Sequence, residues 1–303
     1  PIEIWSFRAL ALDAAPAPDE AVNDLSRAEA SYDRLEPADL LADETLLREA
    51  FGLLVLAHYR TEPADLARLL DAPNVSVRVL RAHGRVLAVA LLAREGGLDA
   101  KRRASMYDGE RVRGNMLPDI LTSQLRDESA GVPVGERVLR IAAHPALRRR
   151  GLGTMLLDSI RDEVGDAVDW LGVGFGATPD LVEFWRSNGF RSVHISTTRN
   201  ETSGEHSAIM LNPCSDAGED LLVRHTDWFI ERLPGMLADP LSDVDPDVIR
   251  SALRTVAERP ELNLSEREWR VAAGMAHGAA VFDTAPRVTR RLCLHYLVDP
   301  DPE

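Results

Sequence analysis

Lysine is almost absent from this sequence of 303 residues: of the 35 basic residues, only Lys101 is a lysine. Acidic residues number 49, and the formal net charge is −14. Dense carboxylates keep a surface hydrated where salt screens their mutual repulsion. We therefore expect a protein adapted to high salt, rather than only one encoded by a GC-rich genome. At about 1 M salt the Debye length is only ~3 Å, so the negative charge does not exclude a nucleic-acid partner.

Cysteine and long apolar runs are also scarce. The two cysteines, Cys214 and Cys293, fit neither a metal-ligand spacing nor a disulfide framework, so no metal site is expected. The longest apolar runs, such as VLAVALLA at 86–93, are too short to span a membrane. No basic and then apolar leader opens the sequence, so we expect a cytoplasmic protein. The first residue is Pro rather than Met, which suggests a part of a longer chain.

Hydrophobic periodicity divides the sequence into an α/β part and a helical part. The turn sequence AHGR lies between two predicted strands within residues 75–93. Further strands are expected at 137–145, 168–176, 191–197 and 206–212, and helices at 37–60, 61–73, 114–125, 151–164 and 178–190. From about residue 215 the pattern predicts four helices.

The stretch RIAAHPALRRRGLGTMLL, at 140–157, carries the clearest chemical signal. A predicted strand ends there, and a predicted helix begins at Gly151 and Gly153. The first amides of a helix have no helical acceptor, and the helix dipole adds about half a positive charge. Such a loop binds an anion, most often a phosphate. The stretch lacks the GK[ST] ending of a Walker loop and the third glycine of a Rossmann fingerprint.

The pattern Arg148-x-x-Gly151-x-Gly153 after a strand resembles the acyl-CoA pyrophosphate loop of the GNAT acetyltransferases. Asn188-Gly189-Phe190 stands where that family carries a companion motif after its next helix. The resemblance implies an α/β fold with a GNAT-type mixed sheet flanked by helices. A mainly α-helical C-terminal domain is expected to follow it.

Five separated motifs sharpen the resemblance: LLVLAHYRTEPADLARLLDAPN, GNMLPDIL, RIAAHPALRRRGLGTMLL, VDWLGVGFGATPDLVEFWRSNGF and TSGEHSAIML. Together they are similar to the tRNA(Met) cytidine acetyltransferase family, strongly over 37–212 and weakly beyond. The lysine-poor composition points to a haloarchaeal member. The family joins a helicase-like ATPase module to a GNAT domain and an RNA-binding tail. No Walker A motif occurs in this sequence, so ATP is expected to bind to a module outside it.

The resemblance implies three segments: a junction with the upstream module at 1–35, the acetyltransferase domain at 36–214 and the RNA-binding tail at 215–303. Residues 216–303 contain 10 arginines and 17 acidic residues, an unusual balance for an RNA-binding module. Clustered arginines still suit phosphates and base edges. The candidates are Arg267, Arg270, Arg287, Arg290 and Arg291. The alternative is that these arginines form ion pairs on solvated helix faces.

The family's reaction transfers acetyl from acetyl-CoA to the exocyclic N4 amine of a tRNA cytidine, at the wobble position of elongator tRNA(Met), coupled to ATP hydrolysis. By resemblance, Ile141, Ala142 and Ala143 lie at the acetyl end, where a backbone amide stabilises the oxyanion. The pyrophosphate is expected on Arg148, Arg149, Arg150, Gly151, Leu152, Gly153 and Thr154. Asp180 and Ser187 are expected to approach CoA. Relatives carry arginine in place of Ser187, so Arg186 is a possible substitute.

Two histidines are candidates for the general base. His144 ends the strand beside the expected thioester, and imidazole titrates near neutral pH. His206 in GEHSAIML is the second candidate, and Glu205 is a weaker one. Either histidine could instead be structural, and a structural role is the preferred interpretation of His58.

Aromatic residues at core-like positions are expected to pack rather than to stack on bases. These are Trp170, Phe184 and Trp185. Two alternatives to RNA acetylation stay open: a GNAT enzyme that acts on a protein or small-molecule amine, and a non-catalytic acyl-CoA-binding module. The motif set argues against the first alternative. The intact loop with His144 and His206 argues against the second.

Overall fold

The computed structural model describes residues 11, 13–56, 63–201, 203–256 and 261–298. The described residues form two compact units. The first unit extends to Val173 and includes Pro213–Gly218, and the second contains Gly174–Asn212 and the residues from Glu219 onwards. His58 lies outside the described residues, as do residues 1–10 and 12 of the N-terminal stretch assigned to the junction.

Strands and helices are interspersed up to about residue 213, and helices follow. The strands are β1 (Ser31–Leu35), β2 (Val75–Ala82), β3 (Arg85–Gly96), β4 (Val134–Ala143), β5 (Trp170–Gly176), β6 (Arg191–Arg199) and β7 (His206–Pro213). The helices are α1 (Pro37–Ala42), α2 (Glu44–Leu56), α3 (Pro63–Asp71), α4 (Ala100–Tyr107), α5 (Met116–Asp119), α6 (Leu152–Val164), α7 (Pro179–Ser187), α8 (Asp216–Met236), α9 (Pro246–Leu253), α10 (Glu266–Ala276) and α11 (Pro286–Leu297). A π-helical turn at Ile120–Gln124 follows α5.

The first unit contains a mixed sheet. β1, β2, β3 and β4 are antiparallel neighbours in that order, and β4 pairs with β5 in parallel. The predicted hairpin is confirmed: His83 (φ 50°) and Gly84 (φ 75°) form a two-residue turn between β2 and β3. A turn with both residues in the left-handed region matches the twist of the paired strands.

The core of the first unit lies around β3. Its residues 86–93 are all buried, which is why this strand shows no polar alternation in the sequence. Helices α2 and α6 pack against β3. The cluster on α2 includes Ala50, Phe51, Leu53 and Leu54.

The second unit combines an antiparallel pair of strands, β6 and β7, with helices. Trp185 of α7 is buried and contacts Phe175, Phe184 and Phe190. Trp170, in the first unit, is also buried, so the expected core packing is confirmed for Trp170 and Trp185, whereas Phe184 is half-buried. The four helices predicted after residue 215 are α8, α9, α10 and α11. None of the helices in the described ranges is long and apolar enough to cross a membrane.

Some elements differ from the sequence prediction. The helix expected from 37 to 60 is interrupted at Asp43, whose carboxylate accepts the Leu46 amide at 3.0 Å and starts α2 anew. β1 was not predicted, because it is a mostly polar edge strand whose partner is about 45 residues away. α4 was not predicted either, since Met106 is its single buried residue.

Gly135 of β4 provides a direct test of packing in the first unit. A Cβ added there would lie 2.0 Å from the ring of Trp170, which is buried and cannot move aside. We expect Gly135→Ala to lower the free energy of unfolding by about 1–3 kcal/mol or more, as overpacking does. Urea denaturation measures this loss. Gly165→Ala is the matched control, because no atom lies within 4 Å of its added Cβ, and an equal effect of the two substitutions would contradict the packing.

Candidate functional site

The loop between β4 and α6 presents open amides at a helix start. A 3-10 turn at Pro145–Leu147 follows β4, and α6 begins at Leu152. Arg149 (φ 62°) and Gly151 (φ 76°) adopt left-handed backbone, which turns the chain sharply into the helix. The first main-chain hydrogen bond of α6 runs from the Met155 amide to the Gly151 carbonyl at 3.0 Å.

The amides of Leu152, Gly153 and Thr154 precede that bond. No backbone or side-chain acceptor among the described residues takes them. These N–H groups and the helix dipole favour an anion at this point. The structure therefore brings together the glycines and amides that the sequence predicted as a phosphate loop.

Arginines surround this loop. The side chains of Arg148 and Arg149 are exposed, and neither forms an ion pair with any residue the structure describes. Arg150 is held differently, since its Nη1 donates to the Asn23 carbonyl at 3.0 Å. Two guanidinium groups are thus available to an anion on the loop.

Arg27 is a further cation at the loop, and sequence reasoning missed it. A Cβ built on Gly151 would lie 3.1 Å from Nη1 of Arg27, so this guanidinium lies directly against the glycine. Arg27 belongs to a 3-10 turn within the stretch assigned to the junction. No local pattern could have placed it, because the contact spans more than 100 residues of sequence.

The last part of β4 has an open edge. β4 pairs with β5 only over Gly135–Val138, whereas its pairing with β3 continues to Ala143. Within the described strand pairing of the first unit, residues 139–143 therefore have a neighbour on one side only. These residues include Ile141, Ala142 and Ala143, which are half-buried and directly precede the loop. Backbone groups on such an edge are available to a ligand.

His144 is fully buried, and both of its ring nitrogens have partners. Nε2 lies 2.7 Å from the Ala17 carbonyl, and Nδ1 accepts the Ala146 amide at 3.3 Å. Because a carbonyl only accepts, these contacts assign the proton to Nε2 and the lone pair to Nδ1. Neither nitrogen is available to take a proton from a substrate in this arrangement. His144 instead caps the turn that leads into the loop.

The far end of α6 is fixed to the sheet. Arg78, buried in β2, donates to Glu163 through Nε at 2.6 Å and through Nη2 at 2.8 Å. The Tyr32 hydroxyl donates to the same carboxylate. Burial disfavours the ionised carboxylate, but the hydrogen bonds from Arg78 and Tyr32 outweigh it and lower the pKa of Glu163. This network holds the helix that carries the loop.

Loss of the Glu163 carboxylate should destabilise the first unit in a pH-dependent way. We expect Glu163→Gln to cost roughly 1–3 kcal/mol of unfolding free energy at pH 7, because the buried Arg78 guanidinium loses its anionic partner. A lowered folded-state pKa stabilises the fold above the unfolded value of about 4.3, and this contribution is lost as the pH falls through the folded value. The difference from the unsubstituted chain should therefore shrink in urea titrations below pH 4. Asp158→Asn, at an exposed position of α6, should show no such convergence.

The candidate CoA residues of α7 lie in the second unit. The Ser187 hydroxyl donates to the Phe184 carbonyl at 2.9 Å, and Asp180 lies in the first turn of the helix. Arg186 forms a two-bond pair with Glu183, at 2.9 and 2.6 Å. Arg186 is therefore already engaged, and the contacts of this helix with CoA stay a prediction.

His206, at the start of β7, has one ring nitrogen with a hydrogen-bond partner and one without a partner among the described residues. Nδ1 lies 2.9 Å from the Ser196 carbonyl and therefore carries the proton, which leaves a lone pair on Nε2. Nε2 is buried without a hydrogen-bond partner among the described residues. The Asp243 carboxylate lies 3.7 Å from it and is held by Arg199, whose hydrogen bonds lower the pKa of Asp243. An imidazolium formed at His206 would face this carboxylate.

The candidate RNA-binding arginines differ in their surroundings. Arg270 pairs with Glu266 at 2.5 Å, and Arg291 donates to the Asn263 carbonyl at 2.8 Å. Arg290 lies 5.8 Å from the ring centre of Phe282. Arg267 and Arg287 are exposed. The arginines at 287, 290 and 291 all line one cavity of the second unit.

Comparison with known proteins shows the family to which the chain belongs. Residues 49–164 and 154–215 match the model of the GNAT acetyltransferase 2 family. The strand, the loop with open amides and the following helix lie within the matched residues. The chain belongs to this family of acetyltransferases, and the expected mixed sheet with flanking helices and a helical C-terminal region is confirmed.

Three individual relatives all carry the name of one particular acetyltransferase. The proteins named tRNA(Met) cytidine acetyltransferase TmcA from Haloarcula marismortui and Haloferax volcanii are each 60% identical to the chain over 301 residues. These alignments cover 99% of the chain, and 39% and 40% of the relatives. The protein of that name from Nitrosococcus halophilus is 42% identical over 285 residues, 93% of the chain and 38% of the relative. The resemblance seen in the motifs is confirmed, and the chain spans about two fifths of the length of these relatives.

Proposed function

We propose that this chain is the acetyl-transferring part of a tRNA(Met) cytidine acetyltransferase. It binds acetyl-CoA and transfers the acetyl group to the exocyclic N4 amine of a tRNA cytidine. The observation that carries the proposal is the set of open amides at the start of α6, beside the unpaired guanidinium groups of Arg148 and Arg149. These groups suit the pyrophosphate of CoA, and the names of the 60% identical relatives supply the RNA substrate.

The reaction requires strong positioning. The N4 lone pair is conjugated with the pyrimidine ring, so the amine is a weak nucleophile. Good orientation supplies up to roughly 7–11 kcal/mol of the barrier. N4 attacks the thioester carbonyl, the carbon–sulfur bond breaks, CoA leaves as the thiol, and N4 loses one proton. A backbone amide of residues 139–143, on the open edge of β4, would stabilise the oxyanion.

His206 is the base that the local geometry supports better. Its buried Nε2 has no hydrogen-bond partner among the described residues, so the lone pair is not already in use, and Asp243 would stabilise the protonated ring. Both nitrogens of His144 already have partners, so we assign His144 to positioning: it fixes the turn between β4 and the loop. The roles of Asp180 and Ser187 in CoA binding and of the tail arginines in RNA binding are further parts of the proposal.

The finer proposal is that the modified cytidine is the wobble base of elongator tRNA(Met), and that ATP hydrolysis by a module outside this chain drives the reaction. The support is the family resemblance and the length of the relatives. We therefore expect the chain alone to bind acetyl-CoA but to modify RNA poorly. Robust RNA acetylation by the chain alone, without ATP, would contradict this division of labour.

The test compares three kinds of molecule as acceptors of the acetyl group. The chain and the complete gene product that contains it are incubated in 2 M KCl with acetyl-CoA labelled in the acetyl group, with tRNA, a basic protein or a polyamine as acceptor. Label is expected in tRNA, as N4-acetylcytidine. Label in the protein or the polyamine instead would favour an ordinary amine acetyltransferase. Binding of acetyl-CoA with no labelled product on any acceptor would favour a non-catalytic module.

A further inference from the structure

A large cavity lies in the helical part of the second unit, away from the acetyl-CoA loop in sequence. Its volume is about 880 Å³, within the range of sites that enclose a small organic ligand. Helices α8 and α11 form two of its walls, and residues 261–263 contribute to a third. Four apolar side chains also line the cavity: Ile230, Val256, Leu262 and Leu294.

The charged residues of this cavity are separated by sign. Glu261, on the third wall, accepts a hydrogen bond from the Asn263 side-chain amide at 2.9 Å. Four other charged residues are Asp227 and Glu231, from α8, and Arg287 and Arg290, from α11. None of these four forms an ion pair or hydrogen bond with another residue that the structure describes. The cavity therefore offers open acceptors on one helix and open cationic donors on the other. Charges that only stabilised the fold would be expected to pair with each other across the space.

Arg291 differs from Arg287 and Arg290 on α11 because it has a hydrogen-bond partner and an ion-pair partner. It donates to the Asn263 carbonyl at 2.8 Å, and its guanidinium lies 3.8 Å from Glu268. These contacts tie α11 to the 263–268 stretch and leave Arg287 and Arg290 as the open cations of the wall. Beside them, Arg290 lies 5.8 Å from the ring centre of Phe282, which is 47% exposed. A flat aromatic surface thus lies next to the cationic wall.

We infer that this cavity binds one unpaired nucleotide of an RNA strand. A nucleotide carries a phosphate for Arg287 and Arg290, a flat and largely apolar ring, and exocyclic amino groups that donate to Asp227 and Glu231. RNA-binding proteins read unpaired nucleotides by this combination of ring contacts and hydrogen bonds to base edges. The inference rests on the proposed RNA substrate and adds the site in the tail that holds a nucleotide outside a duplex.

The two carboxylates make the inference specific. A surface that only attracts phosphates gains affinity when acidic residues are removed, because repulsion decreases. A pocket that accepts amino groups of a base loses affinity when the same residues are removed. Removal of Asp227 and Glu231 therefore changes RNA binding in opposite directions under the two interpretations.

The experiment measures the affinity of the chain for a fluorescein-labelled 12-nucleotide single-stranded RNA of mixed sequence, and for its duplex, in 2 M KCl. The double substitution Asp227→Asn with Glu231→Gln is expected to weaken single-strand binding at least tenfold. Arg287→Gln with Arg290→Gln is expected to weaken it to a similar extent.

Two control variants remove charges outside the cavity. Asp220→Asn with Asp239→Asn removes two exposed carboxylates and is the matched control for the acidic residues. Arg250→Gln with Arg254→Gln serves the same purpose for the arginines. Cytidine monophosphate is expected to compete with the single strand for the unsubstituted chain only.

Unchanged or tighter binding by the carboxylate variant would overturn the inference and leave a phosphate-binding surface. Equal affinity for the duplex, or no RNA binding by the unsubstituted chain, would overturn it as well. Single substitutions, Glu231→Gln and Arg290→Gln, are measured in parallel, with circular dichroism to verify folding, so that a misfolded double variant does not decide the result. Formation of N4-acetylcytidine by the complete gene product tests the proposed function separately, and it can succeed where the cavity fails.

Discussion

Replacing Thr154 by Asp is expected to weaken binding of acetyl-CoA to the chain by roughly tenfold to a hundredfold, or about 1.4–2.8 kcal/mol. Thr154 is the third residue of α6, and its amide is one of the open donors. A carboxylate at this position would repel the pyrophosphate. It would also compete for the same amides. Isothermal titration calorimetry with acetyl-CoA measures the loss.

The stability of the substituted chain distinguishes this effect from misfolding. An acidic residue in the first turn of a helix stabilises it by about 0.3–1 kcal/mol at low ionic strength, so Thr154→Asp should unfold no earlier than the unsubstituted chain. Thr154→Asn has nearly the same shape and no charge, and it should bind acetyl-CoA within a few-fold of normal. Equal loss of affinity in both variants would argue that the hydroxyl, and not an anion site, is what matters at Thr154.

His206→Asn is expected to slow acetyl transfer to tRNA by about 10²–10⁴-fold, the usual contribution of a general base. The asparagine amide retains a donor near the position of Nδ1, so the bond to the Ser196 carbonyl is preserved. The substitution removes only Nε2, the ring nitrogen that lacks a hydrogen-bond partner among the described residues and faces Asp243. Affinity for acetyl-CoA should stay unchanged. Single-turnover assays of the complete gene product, with acetyl-CoA in excess, isolate the chemical step.

His144→Asn is compared with His206→Asn to separate a positioning role from a role in proton transfer. His144 spans two contacts, to Ala17 and Ala146, and a shorter side chain keeps at most one of them. We expect its main effects to be lower stability and weaker acetyl-CoA binding, because the turn before the loop loosens. A chemical step that fails with His144→Asn at full acetyl-CoA affinity, while His206→Asn reacts normally, would reverse the assignment of the two histidines.

Features encoded by neighbouring residues were predictable. The β2–β3 hairpin follows from His83 and Gly84 between two apolar runs, and the phosphate loop follows from glycines at a strand–helix junction. In both cases the residues that define the geometry lie within a few positions of each other. The helix boundaries at α6 and α7 were close for the same reason.

Features that depend on distant contacts were not predictable from local patterns. Ala17 and His144 are 127 residues apart, and their hydrogen bond changes the interpretation of the histidine. Arg27 reaches Gly151 from a stretch that the family resemblance assigned to a junction. β1 pairs with β2 although its sequence, SYDRL, alternates too weakly to indicate a strand.

The tail shows the same limit. Its four helices were predictable from periodicity, and so was the clustering of Arg287, Arg290 and Arg291. The sequence could not indicate that two of these arginines stay unpaired opposite Asp227 and Glu231, because that arrangement depends on how α8 and α11 pack. A net charge of about −7 in this region obscured the local separation of charge.

The most direct test of RNA acetylation is mass spectrometry of nucleosides from tRNA of the source cell. The complete gene product is incubated in 2 M KCl with ATP and acetyl-CoA carrying a ¹³C-labelled acetyl group, and the tRNA is digested. Labelled N4-acetylcytidine should form, and it should fall sharply with Thr154→Asp but not with Thr154→Asn. Absence of labelled N4-acetylcytidine, from a protein that still binds acetyl-CoA tightly, would contradict the proposed RNA acetylation.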